Sequence, residues 1–231
     1  EVKLGQAVDD DTLNSGTFGL VVLATGVKPR ELELDGIDHP KVLSYLDVLD
    51  KERVVGQKVA VIGAGGIGID VAHYLTAQTP FSGEVPEYLQ GYGILDSEKA
   101  LALRKPKKRE VTVLQRSADK IGKRLGKTTG WAHIQTLKSH GVQLLPGATY
   151  LKIDDSGLHV RVALKKGEEP KDIVFEVDNV IVAAGQEPRR ELETSLRKAG
   201  FEVHVIGGAK AALGLDAKTA ISDGAELAAK L

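Results

Sequence analysis

The sequence predicts an α/β fold, a mainly parallel sheet with an antiparallel excursion. Three observations carry this. Short apolar runs rich in Val, Ile and Leu alternate with helical patterns; one such run passes through a glycine-rich turn directly into an amphipathic helix; and a stretch of alternating residues interrupts the series late in the chain. With 231 residues, 42% of them hydrophobic, the chain can bury one large core or two smaller ones, which excludes disorder as the global state.

Val2-Lys3-Leu4 reads as an opening strand, and residues 17–25 (TFGLVVLAT) as a strand buried on both faces and ended by Gly26. Residues 28–40 are rich in Pro, Gly and Asp and read as a crossing between domains; residues 42–49 then suit a short helix before Gly56. Residues 58–62 (KVAVI) form a second buried strand, Gly63-Ala64-Gly65-Gly66-Ile67-Gly68 a turn, and the helix after it runs to about Ala77. Residues 79–108 break the pattern with Pro80, Pro86, Pro106, Gly83, Gly91 and Gly93, and read as an insertion with a short helix at 97–103. A strand at 110–114, a helix at 129–139 ended by Gly141 and a strand at 142–145 complete a βαβαβ order, which requires parallel strands. Residues 150–164 and 173–177 form the antiparallel excursion. A buried strand at 179–184 ends at Gly185, and a strand at 201–206 with a helix at 215–230 closes the series.

Composition limits the chemistry. Lys and Arg number 31 against 32 Asp and Glu, a net charge of −1, so no nucleic-acid partner is expected and any basic site must be local. No Cys is present, so the chain itself offers no disulfide, thiolate nucleophile or cysteine-held metal; redox chemistry would need a bound cofactor. No apolar run approaches the roughly 20 residues that span a bilayer, and Glu1-Val2-Lys3 does not open a secretory signal, so a cytoplasmic location without membrane partners is expected. The lack of any Met, even at position 1, suggests a processed fragment or an edited sequence, and the strand-like residues at once suggest that something upstream has been lost.

Gly63-x-Gly65-x-x-Gly68 between strand and helix is the dinucleotide-binding pattern of a Rossmann-like domain. The first glycine makes the tight turn, the second admits a pyrophosphate to the backbone, and the third lets helix and strand pack. Gly66 and Ile67 supply backbone at the helix N-terminus, where unpaired N–H groups and the helix dipole favour an anion. The next strand end selects the nucleotide: a carboxylate there would favour NAD, whereas this chain has Gln115-Arg116, which suits the 2′-phosphate of NADPH. Residues 104–127 hold ten basic residues against two acids. For residues 104–109 a solvated charged face is the expectation; for Arg116, with Lys120 or Lys123 behind it, phosphate contact is.

Other features read as structural. Gly122-x-x-x-Gly126-Lys127-Thr128 is one residue short of a phosphate loop and follows no clear strand. Trp131 reads as a core residue, with a place beside a nicotinamide or flavin as the alternative. His133 and His140 share a helical face but have no third ligand nearby. Asp70 complements the dipole near the start of its helix.

Residues 21–30 (VVLATGVKPR) and 180–189 (VIVAAGQEPR) are alike: a buried strand, two small residues, Gly, then x-x-Pro-Arg. With the glycine turn between them they make the chain resemble flavoproteins that carry two dinucleotide-binding domains, one inserted in the other. The strings 35–45 (DGIDHPKVLSY), 65–72 (GGIGIDVA), 126–131 (GKTTGW) and 184–188 (AGQEP) are similar to the C-terminal part of the bacterial NADPH-dependent 2,4-dienoyl-CoA reductases, and the resemblance covers essentially the whole chain. It implies an NADP-binding domain at 41–185 inserted in a partial FAD-binding domain at 1–40 and 186–231. It further implies NADPH at Gly63, Gly65, Gly66, Ile67, Gly68, Gln115, Arg116, Lys120, Lys123, Ala184 and Gly185, and FAD near Thr25, Gly26, Gly207 and Gly208. By this resemblance hydride passes from NADPH to FAD in an enzyme of fatty-acid β-oxidation. FMN and a 4Fe–4S cluster would belong to an upstream domain as partner. A nucleotide-binding or structural fragment without turnover, or the matching domain of a related amine dehydrogenase, are the alternatives.

Overall fold

A computed structural model of the chain describes residues 1–9, 12–13, 18–51, 53–76, 93–94, 96, 109–164 and 167–231. In chain order the elements are β1 (Leu20–Leu23), β2 (Val27–Pro29), β3 (Val42–Ser44), α1 (Tyr45–Leu49), β4 (Lys58–Ile62) and α2 (Gly66–Thr76). Then come β5 (Glu110–Gln115), α3 (Gly130–Ser139), β6 (Gln143–Pro146), β7 (Thr149–Asp154), β8 (Gly157–Val162), β9 (Lys171–Phe175) and β10 (Asn179–Val182). The chain ends with β11 (Gln186–Pro188), α4 (Glu193–Lys198), β12 (Glu202–Val205), a 3-10 turn at Gly207–Ala209 and α5 (Ala217–Ala228). Residues 1–30 with 186–231 form one compact unit and residues 31–185 another.

In the unit of residues 31–185, five parallel strands run in the order β3-β10-β4-β5-β6. Both faces of this sheet are covered, which is why its strands read as nearly continuous apolar runs. Side chains alternate across it. Val59, Val61, Val111, Val113 and Ile181 pack with Ile69, Val71 and Leu75 of α2 and Ile134 and Leu137 of α3. Ala60, Ile62, Leu114 and Val180 pack instead with Ile153, Leu158, Val160 and Val162 of the antiparallel β7-β8-β9 sheet.

Polar fasteners hold the start of the sheet. The Asp178 carboxylate accepts the N–H groups of Gln57 and Lys58 at 2.7 and 2.8 Å, which lowers its pKa, and Asn179 accepts from the Gly56 N–H at 2.8 Å. Arg109 donates to the carbonyls of Gly56, Leu75 and Val55 at 3.1, 3.2 and 3.4 Å. Arg109 therefore does not belong to the solvated face expected for 104–109; its guanidinium ties the start of β5 to the end of α2. Residues 104–108, the helix expected at 97–103 and nearly all of the expected insertion lie outside the described residues.

Three expectations are corrected. Residues 31–40 pack with the second unit, not the first: Leu32 and Leu34 lie against the core of the antiparallel sheet, and the Ile153 N–H donates to the Asp35 carbonyl at 2.8 Å. The single helix expected at 42–49 divides into β3 and α1. Val42 pairs with Val180, and a capping box starts the helix after Ser44, whose hydroxyl accepts from the Asp47 N–H while Asp47 accepts from the Ser44 N–H. The Ser44 hydroxyl, which also donates to the Asp47 carboxylate at 2.7 Å, together with Lys51 and the Ser44 N–H, lowers the Asp47 pKa to about 2. Val2 and Leu4 are exposed and belong to no strand among the described residues.

In the unit of residues 1–30 and 186–231, β1 pairs with β12 in parallel, and β2 with β11 antiparallel. Val21, Leu23, Leu196 and Val203 form its core. The Asp216 side chain caps α5 by accepting from the Thr219 N–H at 2.7 Å. No helix among the described residues is long and apolar enough to cross a membrane.

Two predictions concern this framework. A Cβ on Gly63 would stand 2.2 Å from the Ala183 carbonyl oxygen, at a φ of +113°, whereas a Cβ on Gly65 meets nothing within 4 Å. Gly63→Ala should therefore cost at least about 2 kcal/mol in urea unfolding and Gly65→Ala less than about 0.5 kcal/mol.

The second concerns His73. Among the described residues its Nε2 is buried without a hydrogen-bond partner, and its ring meets that of His133 edge-on, with centroids 5.3 Å apart. Burial, aided by the nearby His133 and His140 and opposed by Asp70, holds its pKa below the ordinary 6.5. As pH falls below 6.5 the unfolded chain takes up this proton before the folded one, so stability should be full above that value and drop below it. Melting temperatures at pH 7 and pH 5 should differ less in His73→Phe than in the parent.

Candidate functional site

Strand β4 ends where its two neighbours hold it: the Gly63 N–H donates to the Leu114 carbonyl at 2.9 Å, and the Ala183 N–H to the Ile62 carbonyl at 2.8 Å. Gly63 then turns with no room for a side chain, and a Cβ on Gly68 would stand 2.0 Å from the Gly63 carbonyl oxygen. The first and third glycines of the motif are thus demanded by packing. Gly65 and Gly66 are different. Both are exposed and open at the Cβ position, so the backbone leading into α2 can be approached closely. Ile67 packs partly buried behind them. The first-turn N–H groups of α2 have no acceptor within the helix, and this open start fits an anion such as a pyrophosphate.

The neighbouring strand end is rigid. The Ala148 N–H donates to the Gln115 carbonyl at 2.9 Å and the Gly147 N–H to the Ser117 carbonyl at 3.0 Å. The Gln115 amide nitrogen donates to the carbonyls of Ser117 and Asp119 at 2.9 and 2.8 Å, so Gln115 braces the turn. Lys123 is held by Asp119 at 2.8 Å. Arg116 and Lys120 are exposed, and among the described residues neither forms a hydrogen bond or ion pair. Of the four residues expected at this strand end, two are therefore available cations and two hold the loop.

Arg116 lines a cleft of about 270 Å³ with Leu32, Glu33, Leu34, Ala148, Thr149 and Tyr150. Tyr150 donates its hydroxyl to the Leu114 carbonyl at 3.1 Å, and burial raises its pKa to about 12. Nothing in the sequence marked Tyr150 or Glu33 as part of a site, since the cleft joins segments more than a hundred residues apart. Ala184 is partly buried against the antiparallel-sheet core, and Gly185 is exposed at a φ of +113°.

In the other unit the expected flavin contacts gather at the carboxyl ends of β1 and β12. A Cβ on Gly208 would stand 3.0 Å from the Gly26 carbonyl carbon, so these two turns are in contact. The Thr25 hydroxyl donates to the Arg189 carbonyl, and the Gly207 N–H donates to Asp223 at 3.0 Å. Both donors are thereby engaged within the protein.

Other candidates are resolved by contact. Trp131 is 73% exposed, not core, its indole N–H donating to the Thr128 carbonyl at 3.0 Å. Asp70 lies beyond the first turn of α2 and acts on His73. Asp154, Ser156 and His159 meet at the β7–β8 turn, but both oxygens address the same ring nitrogen, Nε2, at 2.9 Å, so the ring cannot relay a proton between them. Among the described residues no group of three or more His, Cys, Asp or Glu is placed to hold a metal ion.

A metal reductase of Desulforamulus reducens is 28% identical over 197 residues, 85% of this chain and 28% of that protein. A cinnamate reductase of Clostridium sporogenes is 40% identical over 78 residues, 34% of this chain and 11% of that protein. The solved complex of 2-naphthoyl-CoA reductase with 2-naphthoyl-CoA superposes with a TM-score of 0.71 at 26% identity, covering 96% of this chain and 28% of that one. The chain thus spans less than a third of the length of each of these proteins. Residues 1–217 match the model of the pyridine nucleotide-disulphide oxidoreductases, and the chain belongs to that family of flavoprotein oxidoreductases, whose members bind FAD and NAD(P).

Proposed function

We propose that this chain is the NADPH-binding reductase module of a 2,4-dienoyl-CoA-reductase-like flavoprotein, with residues 31–185 as its NADP domain. The observation that carries this reading is the pairing of an open glycine turn with an Arg116 that has no partner among the described residues, at the end of the adjacent strand, where the sequence has Gln115-Arg116 and no carboxylate. Gly65, Gly66 and Ile67 would take the pyrophosphate through backbone N–H groups, and Arg116 with Lys120 the 2′-phosphate through charge-assisted hydrogen bonds. The bound nucleotide supplies a hydride; the role of these residues is to bind and orient it.

Cinnamate and 2-naphthoyl-CoA, named for two of the similar proteins, are conjugated carboxylic compounds, as a dienoyl-CoA is, which supports the substrate class. Transfer onward to FAD, and the FMN and 4Fe–4S centres of an upstream partner domain, rest on the resemblance to the reductase family. Thr25 and Gly207, with their donors engaged internally, offer a flavin little beyond backbone shape.

Two measurements test the reading. Gly65→Val should abolish NADPH binding in titration calorimetry while circular dichroism stays unchanged, because the new side chain fills the approach to the backbone. Arg116→Ala should remove a contact of about 1.5–3 kcal/mol and lower the preference for NADPH over NADH roughly tenfold or more. Equal affinity of the parent for the two nucleotides would refute the assignment.

A further inference from the structure

The one tryptophan of the chain stands in solvent. Trp131, in the first turn of α3, is 73% exposed, yet its indole N–H donates to the Thr128 carbonyl at 3.0 Å, so the ring is held with its polar atom spent and its apolar surface uncovered. The turn beneath it is rigid. Ile121 and Leu125 pack in the core with Ile134 and Leu137 of α3, and the Gly130 N–H donates to the Gly126 carbonyl at 2.8 Å. A Cβ on Gly122 would stand 2.7 Å from the Ile134 Cγ1, and one on Gly130 2.6 Å from the Leu125 Cβ, so turn and helix start are in close contact. The display of Trp131 is built into the fold.

Charge singles out the same surface. Residues 116–148 hold six Lys or Arg against one acid, in a chain whose net charge is −1, and that acid, Asp119, is held by Lys123 at 2.8 Å. With Arg116 and Lys120 set aside for the nucleotide, Arg124, Lys127 and Lys138 are exposed, and among the described residues they form no hydrogen bond or ion pair. Arg124 and Lys127 belong to the turn on which Trp131 rests. Lys138 follows Trp131 by seven residues, on the same face of α3, with exposed Gln135 between them and no acid anywhere on the helix. An exposed aromatic anchor with unneutralised cations around it has the composition of a protein-binding hot spot, where Trp and Arg are enriched and rim charges steer a complementary partner. A nucleic acid fits less well, because surfaces that track a strand stack successive bases on several rings, and α3 with its turn presents one. A membrane fits less well too: the outward residues Trp131, Gln135, Lys138 and Ser139 make no apolar stripe to enter lipid.

We propose that the Trp131 surface, with Arg124, Lys127 and Lys138 around it, docks an acidic peptide segment of a protein partner, whose carboxylates meet the three cations and whose apolar side chains cover the indole. Charge complementarity selects this occupant, since a neutral or basic segment would leave the cations unanswered. The proposal does not rest on the NADPH reading.

Trp131 is its own probe, because no other tryptophan contributes to the emission of the chain. The full chain is titrated with a synthetic peptide of glutamates interspersed with leucines. Emission should shift to the blue and saturate, with binding weakened at least about fivefold between roughly 50 and 300 mM salt. The same peptide with serine in place of glutamate should leave the emission unchanged. In titration calorimetry, Trp131→Ala and the double variant Arg124→Gln, Lys127→Gln should each bind the acidic peptide roughly tenfold or more weakly, with unchanged circular dichroism. Trp131→Ala should bind NADPH within about twofold of the parent. A parent chain that does not bind the acidic peptide, or a Trp131→Ala chain that binds it equally well, would overturn the assignment. So would a larger emission shift with a single-stranded oligonucleotide or with phosphatidylglycerol vesicles than with the peptide. Loss of NADPH binding in a folded Trp131→Ala chain would overturn it as well, because the ring would then serve the nucleotide.

Discussion

The structure of the larger unit depends on how closely the backbone at Gly63 approaches Ala183. β4 lies between β10 and β5, and for α2 to leave the sheet and pack back on it the chain must turn at once, in the space beside the Ala183 carbonyl. Only a residue without a Cβ passes there, since any added carbon would stand 2.2 Å from that oxygen. Gly68 answers the same constraint from the helix side, pressed against the Gly63 carbonyl. Because these two glycines are consumed by packing, the two between them are left open. The motif is thus a division of labour: outer glycines set the turn, and inner ones leave the helix start uncovered.

Charge follows a similar division. The basic stretch that reads as one strongly positive segment is several separate things in the folded chain. Arg109 is turned onto backbone carbonyls, Lys123 is neutralised by Asp119, and Arg116 and Lys120 remain without partners among the described residues. What distinguishes them is the company of the backbone. Arg109 sits where the carbonyls of Val55, Gly56 and Leu75 converge, and Arg116 sits on a turn whose carbonyls are already satisfied by Gln115, Gly147 and Ala148. Local charge density therefore says little about which cation can meet a ligand. The hydrogen-bond accounting around each one does.

The two similar strings at 21–30 and 180–189 also take on unequal duties. Their Pro-containing ends meet as the antiparallel β2–β11 pair, with Gln186 opposite Pro29 and Pro188 opposite Val27, and Lys28 lies between Glu187 and Glu191 at 3.4 and 3.3 Å. Their strand portions belong to different sheets: β1 pairs with β12, while β10 is a central strand flanked by β3 and β4. Similar sequence here specifies similar local shape, a strand leaving through a glycine turn, but β10 is buried whereas β1 leaves Val22 40% exposed, and the partners are chosen by the rest of the chain.

The sequence by itself determined the class of fold, the position of β4 to the residue, the glycine turn, the βαβαβ order of the parallel sheet and the antiparallel excursion. These follow from hydrophobic periodicity and from glycines whose role is local, which a linear reading detects. Val2-Lys3-Leu4 failed because a strand needs a partner, and none is supplied among the described residues. Ser44 and Asp47 divided an expected helix through a cap that outweighed propensity. Only the tertiary structure decided that residues 31–40 pack with the second unit, that Trp131 faces solvent, that Gln115 and Lys123 hold a loop, and that Glu33 and Tyr150 share a cleft with Arg116. Each of these depends on contacts between segments distant in sequence or on competition for one hydrogen-bonding group, and no local pattern of residues encodes either.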